Sequence, residues 1–323
     1  MGRLFSIGEV LIDFIPMQKG KALKDVQSFK RAPGGAPANV VAAVARFGAE
    51  SAMITKLGMD AFSDFLIEEL QKIGVKTDKI KRTKEANTGL AFVSLRDDGE
   101  RDFSFYRNPS ADLLLSEDEI EESWFAKGDI LHFCSVDLVE SPMKKAHEKA
   151  IRLVKENGGI ISFDPNVRLP LWDSAEECRQ TILEFIPKAH IIKISDEELA
   201  FITGFTNEKE AIENLFTGDV KAVIYTKGAN GADLYTKNAK YESTGFKVEV
   251  QDTTGAGDAF IGGFLYKLLE KEVNHDNLID VLNEHHQEIL TFANASGAIT
   301  TTGKGAISSL PTKEEILNFI SCK

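Results

Sequence analysis

Apolar, largely β-branched runs recur at residues 4–15, 51–57, 129–134, 160–164, 190–194 and 222–226, and each reads as a strand. Amphipathic segments at 38–47, 61–73, 143–156, 175–186 and 208–216 fall between them and read as helices. Strands that are apolar on both faces, alternating with helices that are apolar on one, predict an α/β fold. Its sheet is doubly wound and mainly parallel, covered by helices on both sides. Ligands of such sheets collect at the carboxyl ends of the strands. One stretch breaks the rhythm. Residues 88–95 and 101–107 alternate with period two around Asp97-Asp98-Gly99-Glu100, a hairpin signal. With the segment near 14–33 this hairpin predicts a small β-sheet lid, formed by about 14–33 and 88–108. From Gly255 onward the pattern is helical, with a Gly/Thr-rich loop at 300–305. No repeat or low-complexity linker divides the chain, so one domain over 1–323 is expected.

Composition narrows the partners. Hydrophobic residues make up 43% and charged residues 27%, the mix of a globular chain. A formal net charge of −12 argues against a nucleic-acid partner, because a phosphate backbone must be met by a basic surface. No apolar stretch approaches the ~20 residues a membrane span requires. The 3 cysteines, Cys134, Cys178 and Cys322, are odd in number and lack paired spacing, which suits a reducing cytoplasm.

The segment Asp252-Thr253-Thr254-Gly255-Ala256-Gly257-Asp258-Ala259-Phe260 follows a strand-like run at 246–250 and opens a helix-like one at 260–269. Gly255 and Gly257 permit backbone angles and close approaches that a side chain blocks. Amides at a helix start converge where the helix dipole favours negative charge. Gly255, Ala256 and Gly257 therefore read as an anion hole for a phosphate chain whose charge grows during transfer. Asp258 inside that ring is poorly explained by packing. It is too weak a base to strip an alcohol beforehand, but it can align a hydroxyl and take its proton as the bond to phosphorus forms. The plainer reading of these residues alone is a strand-to-helix turn with an acid near the helix start. The third glycine of a dinucleotide fingerprint is missing at Phe260, and no Walker A loop is present.

A second glycine turn, Pro33-Gly34-Gly35-Ala36-Pro37-Ala38-Asn39, lies near the N-terminus. Gly34 and Gly35 let the backbone press against a ligand, Pro37 suits the first turn of a helix, and Asn39 offers both a donor and an acceptor. Taken alone, it is a turn before a core helix.

In this order and at this separation, the two segments resemble the paired signatures of the ribokinase-like (PfkB) carbohydrate kinases, and the resemblance runs over nearly the whole chain. It implies an ATP-dependent kinase that phosphorylates a sugar hydroxymethyl group, with Asp258 as base, the Gly255–Gly257 amides as anion hole, and Gly34, Gly35 and Asn39 at the sugar. Asp13 matches the family's sugar-binding aspartate at the end of the first strand. The run from Phe103 through Phe105, Tyr106 and Arg107 to Asp112, and the run from Phe163 to Arg168, are similar to the fructokinase branch, which implies D-fructose as substrate and fructose 6-phosphate as product. For Phe103, Phe105 and Tyr106, lid packing competes with sugar contact; for Arg107 and Arg168, an ion pair competes with substrate contact. The two arginines also suit an anionic substrate, so a 2-keto-3-deoxygluconate kinase is the nearest rival. An inactive relative serving as a regulatory binding subunit is the rival of a different class; the intact base and anion hole weigh against it.

The resemblance further implies ATP at Lys193, Ser195, Thr226, Gly228, Gly231 and Asn294, although 226–231 read alone is a tight turn after a strand. Mg²⁺ is implied at Glu198 through water, where Ser195 replaces the family's Asn. K⁺ is implied beside the anion hole at Asp252, Thr254, Thr300, Gly303, Gly305 and Ser309. His285 and His286, on a charged helix-like stretch, read as a solvated helix face. An exposed lid sheet is able to pair with a second copy, making a homodimer.

Overall fold

A computed structural model of the chain describes residues 2–18, 20–95 and 101–322. The first apolar run is not one strand but two. β1 (Leu4–Ile7) and β2 (Leu11–Pro16) enter different sheets, and the chain turns between them at Gly8, whose φ is 149°. Both halves are apolar, and only Gly8-Glu9 between them marks the break in the sequence. β3 (Phe29–Gly34) then leads into α1 (Ala36–Arg46), with Gly35 as N-cap and Pro37 in the first turn. β4 (Ser51–Gly58) precedes α2 (Ala61–Ile73), which begins at an Asp60 capping box with Ser63 and ends at the left-handed Gly74. β5 (Ile80–Thr83), β6 (Leu90–Leu95) and β7 (Arg101–Tyr106) follow.

The alternation then becomes regular: β8 (Ile130–Cys134), α3 (Pro142–Glu156), β9 (Ile160–Asp164), α4 (Ala175–Phe185), β10 (Ile191–Ser195), α5 (Asp196–Thr203), α6 (Glu208–Leu215) and β11 (Ala222–Thr226). An antiparallel pair, β12 (Ala232–Thr236) and β13 (Lys240–Ser243), ends the strands; the helices α7 (Ala256–Glu270), α8 (Leu278–Thr300) and α9 (Lys313–Ser321) complete the fold. The strand expected at 246–250 is irregular backbone that joins neither sheet. The turn expected at Asp97–Glu100 lies outside the described residues.

The main sheet has the order β13-β12-β11-β10-β9-β8-β1-β4-β5, parallel from β11 to β5. Alternate strand residues face opposite helical layers. Leu4, Met53, Ile130, Ile160 and Ile191 pack with α1, α2, α7, α8 and α9. Phe5, Ile54, Leu131, Ile161 and Ile192 pack with α3, α4, α5 and α6. Both faces are dry, which is why these strands read as continuous apolar runs.

The order reverses at β1, with β4 and β5 on one side and β8 to β11 on the other, and a crevice opens at such a point. The second sheet, β3-β2-β6-β7, stands beside this crevice. Its register sets Asp13, Ala91 and Phe105 in one row on one face, and Phe14 with Phe92 on the other. Phe14 stacks on Phe92 and meets Phe29 and Phe62 edge-on. No helix among the described residues is long and apolar enough to cross a membrane.

Candidate active site

A cavity of about 380 Å³ lies at the carboxyl ends of the central strands. It brings together Asp13, Gly35, Asn39, Arg168, Lys193, Ser195, Glu198, Thr254, Gly255, Gly257 and Asp258 from the residues expected in the sequence. The small sheet closes it with Phe105.

Asp258 sits in the first turn of α7, behind the N-cap Gly255 in the left-handed conformation at φ 75°. A Cβ at Gly255 would meet the Cβ of Ala306 at 2.5 Å, so both backbone angle and space demand glycine there. The first intrahelical bond runs from the Ala259 amide to the Gly255 carbonyl at 2.8 Å, so the amides before Ala259 have no partner within the helix. Of these, Ala256 donates to the Thr253 carbonyl at 3.2 Å and so is committed to the turn. At Gly257 a Cβ would find only the Lys193 ammonium, at 3.5 Å.

The Asp258 carboxylate is buried and accepts a hydrogen bond from the Asn39 amide at 2.7 Å, with the Asn166 amide at 3.5 Å from its other oxygen. Burial pushes its pKa up, while the Asn39 bond and the charges of Lys193 and Arg168 pull it back down. The net shift is upward, which makes the carboxylate a better proton acceptor than an exposed one. Asn39 keeps a second polar atom, Oδ1, buried without a partner.

Across the cavity, Gly34 and Gly35 have separate physical reasons. A Cβ at Gly34 would overlap the Asp13 carboxylate, which lies against this backbone. A Cβ at Gly35, where φ is 107°, would overlap the Glu9 carbonyl.

On the third wall, Lys193 is buried and its ammonium pairs with Asp164 at 3.0 Å. Burial opposes that charge, but Asp164, Glu198 and Asp258 outweigh it, so Lys193 stays protonated. Ser195 caps α5: its amide and hydroxyl both donate to Glu198 Oε2, at 3.0 and 2.7 Å, and the Val167 amide donates to Oε1 at 2.8 Å. Burial pushes the Glu198 pKa up, yet Lys193 and these bonds outweigh it and hold Glu198 ionised. With both its oxygens engaged, Glu198 suits a cation met through water better than one bound directly. No cluster of three metal-ligating side chains occurs among the described residues.

Asp252, Thr254, Thr300, Gly303, Gly305 and Ser309 gather in one loop cluster beside the start of α7. Asp252 accepts from the Thr254 amide and hydroxyl at 2.9 and 2.6 Å and from the Gly305 amide at 2.9 Å. The Gly303 amide donates to the Thr300 carbonyl at 3.4 Å, and a Cβ at Gly303 would run into Ser309.

Other expected residues lie elsewhere. Tyr106 follows Phe105 on a strand, so it faces away; it is 63% exposed and packs edge-on against Phe92. Phe103 pairs with Val93 in the register, and its side chain lies outside the described residues. Arg107, for which ion pair and substrate contact were both open, is buried and donates to Asp112 and Asp137, so two carboxylates hold its guanidinium. Thr226, Gly228, Gly231 and Asn294 form a separate patch at the β11–β12 turn. The Asn294 amide donates to the Ser243 hydroxyl at 3.0 Å, and Gly231 lies so close to Ser243 that no Cβ fits. His286 stacks on Tyr241 at 3.8 Å, and neither residue lines this cavity.

Two residues outside the expected set also shape this site. Asp164 holds Lys193, and Asn166 reaches Asp258 from a backbone with φ 45°. The signal available was an Asn two residues past a strand-ending Asp, since Asn tolerates the left-handed region better than most residues.

The family profile described as "pfkB family carbohydrate kinase" matches residues 1–313. "Probable fructokinase-2" of Arabidopsis thaliana is 45% identical over 320 residues, covering 99% of this chain and 96% of that one. A fructokinase from Xylella fastidiosa, solved with bound ATP, superposes with a TM-score of 0.91 at 36% identity, covering 99% of this chain and 98% of that one. A double mutant of the fructokinase from Vibrio cholerae O395, solved with fructose, ADP and a potassium ion, gives 0.88 at 34% identity, covering 99% and 98%.

Proposed function

This chain belongs to the pfkB family of carbohydrate kinases, and we propose that it transfers the γ-phosphoryl group of ATP to the hydroxymethyl group of D-fructose, giving fructose 6-phosphate. One observation carries the reading: a buried carboxylate, Asp258, sits in the first turn of α7, bonded to Asn39 and opening onto the cavity shared by Asp13 and Gly35.

Fructose binds against Gly34 and Gly35, with Asp13 accepting its hydroxyl hydrogens and Asn39 offering Oδ1 toward it. The C6 hydroxyl lies on Asp258. As the new O6–P bond forms and the bond from the γ-phosphorus to the bridging oxygen of ADP breaks, the O6 proton passes to Asp258. The amides of Gly255 and Gly257 and the Lys193 ammonium carry the charge that grows on the phosphoryl oxygens. The nucleotide extends toward Thr226, Gly228, Gly231 and Asn294. Glu198, near Ser195, would hold Mg²⁺ through water, and the ion would supply neutralisation of phosphate charge. The Asp252–Gly305 cluster, built around the Asp252 carboxylate, would hold K⁺. The small sheet acts as a lid that keeps water from the phosphoryl group, with Phe105 on its inner face.

Fructose is favoured over a sugar acid because Arg107 is already neutralised by Asp112 and Asp137, while of the cavity's cations Lys193 is paired with Asp164 and Arg168 remains. The outer aromatic face of the small sheet supports pairing with a second copy, and the unpaired Cys134, Cys178 and Cys322 suit the cytoplasm. A coupled ADP-release assay over a panel of sugars, with the phosphorylated position read by phosphorus NMR, tests the reading. Fructose should give the highest kcat/KM. A preference for 2-keto-3-deoxygluconate would replace the substrate, and no turnover with any sugar would leave a binding subunit.

A further inference from the structure

Two residues that line the cavity, Lys193 and Asn166, are held from behind by a third, Asp164, that is not among its lining residues. Asp164 ends β9, and Lys193 lies in β10, the parallel neighbour of β9. Phe163 pairs with Ile192 in the register, so the next residue on each strand, Asp164 and Lys193, stand side by side at the carboxyl ends. The ammonium lies 3.0 Å from Asp164 Oδ2 and 3.2 Å from Oδ1. Oδ1 also accepts from the Asn166 backbone amide at 3.2 Å, in the turn where Asn166 takes its left-handed angle. Asp164 is 0% exposed and Lys193 7%, so solvent screens this pair little.

Stability explains such a pair poorly. Removing two charges from water costs about as much as their attraction returns, and apolar residues of similar volume often serve a fold as well. Position explains it better. The ammonium stands 3.5 Å from where a Cβ of Gly257 would lie, beside the amides at the start of α7. Three carboxylates act on its charge: Asp164, Glu198 and Asp258. Glu198 is engaged by Ser195 and Val167, which leaves Asp164 and the base to compete for the ammonium. An ammonium paired with Asp258 would lower its basicity and cover an oxygen that must take the proton. We propose that Asp164 is a positioning residue that keeps the Lys193 ammonium at the anion hole and off the base. Through Oδ1 it also sets the turn that brings Asn166 to Asp258. The transferring phosphoryl group then meets a cation, while the base keeps the neutral amides of Asn39 and Asn166 as its neighbours.

This inference rests on the sugar-kinase reading, so fructose turnover by the wild type is measured first. The value of kcat is then compared among wild type, D164N, K193M and the double variant, with fructose and ADP affinities by calorimetry and a thermal melt of each. An amide at position 164 keeps an oxygen for the Asn166 backbone but loses the charge that holds the ammonium. D164N should lower kcat by about tenfold or more and leave both affinities within about threefold, because the ammonium acts on the phosphoryl group in transfer and not on the bound ground state. The double variant should keep kcat within about threefold of K193M alone, since Asp164 has nothing to aim once the ammonium is gone. A smaller loss of kcat in D164N, losses that multiply in the double variant, or fructose and ADP affinities that fall as far as kcat would each overturn the proposal. If K193M, which strands a buried carboxylate, does not fold, the split between kcat and the two affinities in D164N decides alone. No fructose turnover by the wild type would instead sink the functional reading, and this inference with it.

Discussion

The two glycine turns of the cavity look alike in sequence but are built for different reasons. At Gly34 and Gly35 the space is already taken by the protein: the Asp13 carboxylate fills one position and the Glu9 carbonyl the other. At Gly255 the same holds, with Ala306 as the obstacle. At Gly257 it does not, since a methyl group there would meet only the Lys193 ammonium at ordinary contact distance, 3.5 Å. A glycine that the fold itself does not need is best explained by something that arrives later. The comparison therefore separates residues that shape the protein from residues that leave room for its ligand.

The largest test of this distinction removes the chemistry. Asp258→Asn should lower kcat by about 10²–10⁴-fold, with fructose affinity by calorimetry within a few-fold. Retention of wild-type kcat would remove the base from the mechanism. Gly257→Ala should lower kcat/KM for ATP by about tenfold or more while leaving the melting temperature unchanged. An equal loss of stability would mean that the fold, and not the phosphate, required the glycine. Gly255→Ala should do the reverse and cost about 1–3 kcal/mol of stability, because a left-handed angle of 75° is imposed on a residue that resists it. Gly34→Ala should displace Asp13 and raise fructose KM by about tenfold, the worth of a hydrogen bond to a charged group, with kcat less affected.

Protonation gives the smallest effects. Asp258 must be ionised to accept a proton, and its folded pKa is raised, so kcat/KM should fall as pH drops through that raised value. Asn39→Ala removes a bond that lowers this pKa and should move the acid limb to higher pH. The linkage has the opposite sign for stability. A raised folded pKa means that the native state holds its proton longer, so stability is lost as pH rises through it. Asp258→Asn should therefore melt at the wild-type temperature in acid and slightly higher at neutral pH.

Much of this was legible in the chain. Alternating strands and helices gave the doubly wound sheet because both of its faces are dry, and Asp258 stood out because no packing argument covers a carboxylate in a glycine turn. The break between β1 and β2 was not legible in the hydropathy, because it depends on the angle at Gly8. The Tyr106 expectation missed a rule that was available: with Phe105 toward the cavity, its neighbour on a strand must face away. Arg107 could not be assigned without knowing that Asp137, in the turn after β8, would reach it.

The bond between Asn39 and Asp258 spans 219 positions. Contacts so distant along a chain form only after the intervening segments have collapsed, and a nascent chain folds from its amino end. A translating ribosome would thus release a nearly finished sugar pocket before the acid that uses it exists. Turnover becomes the last property this polypeptide acquires, and its appearance times the closure of the whole fold.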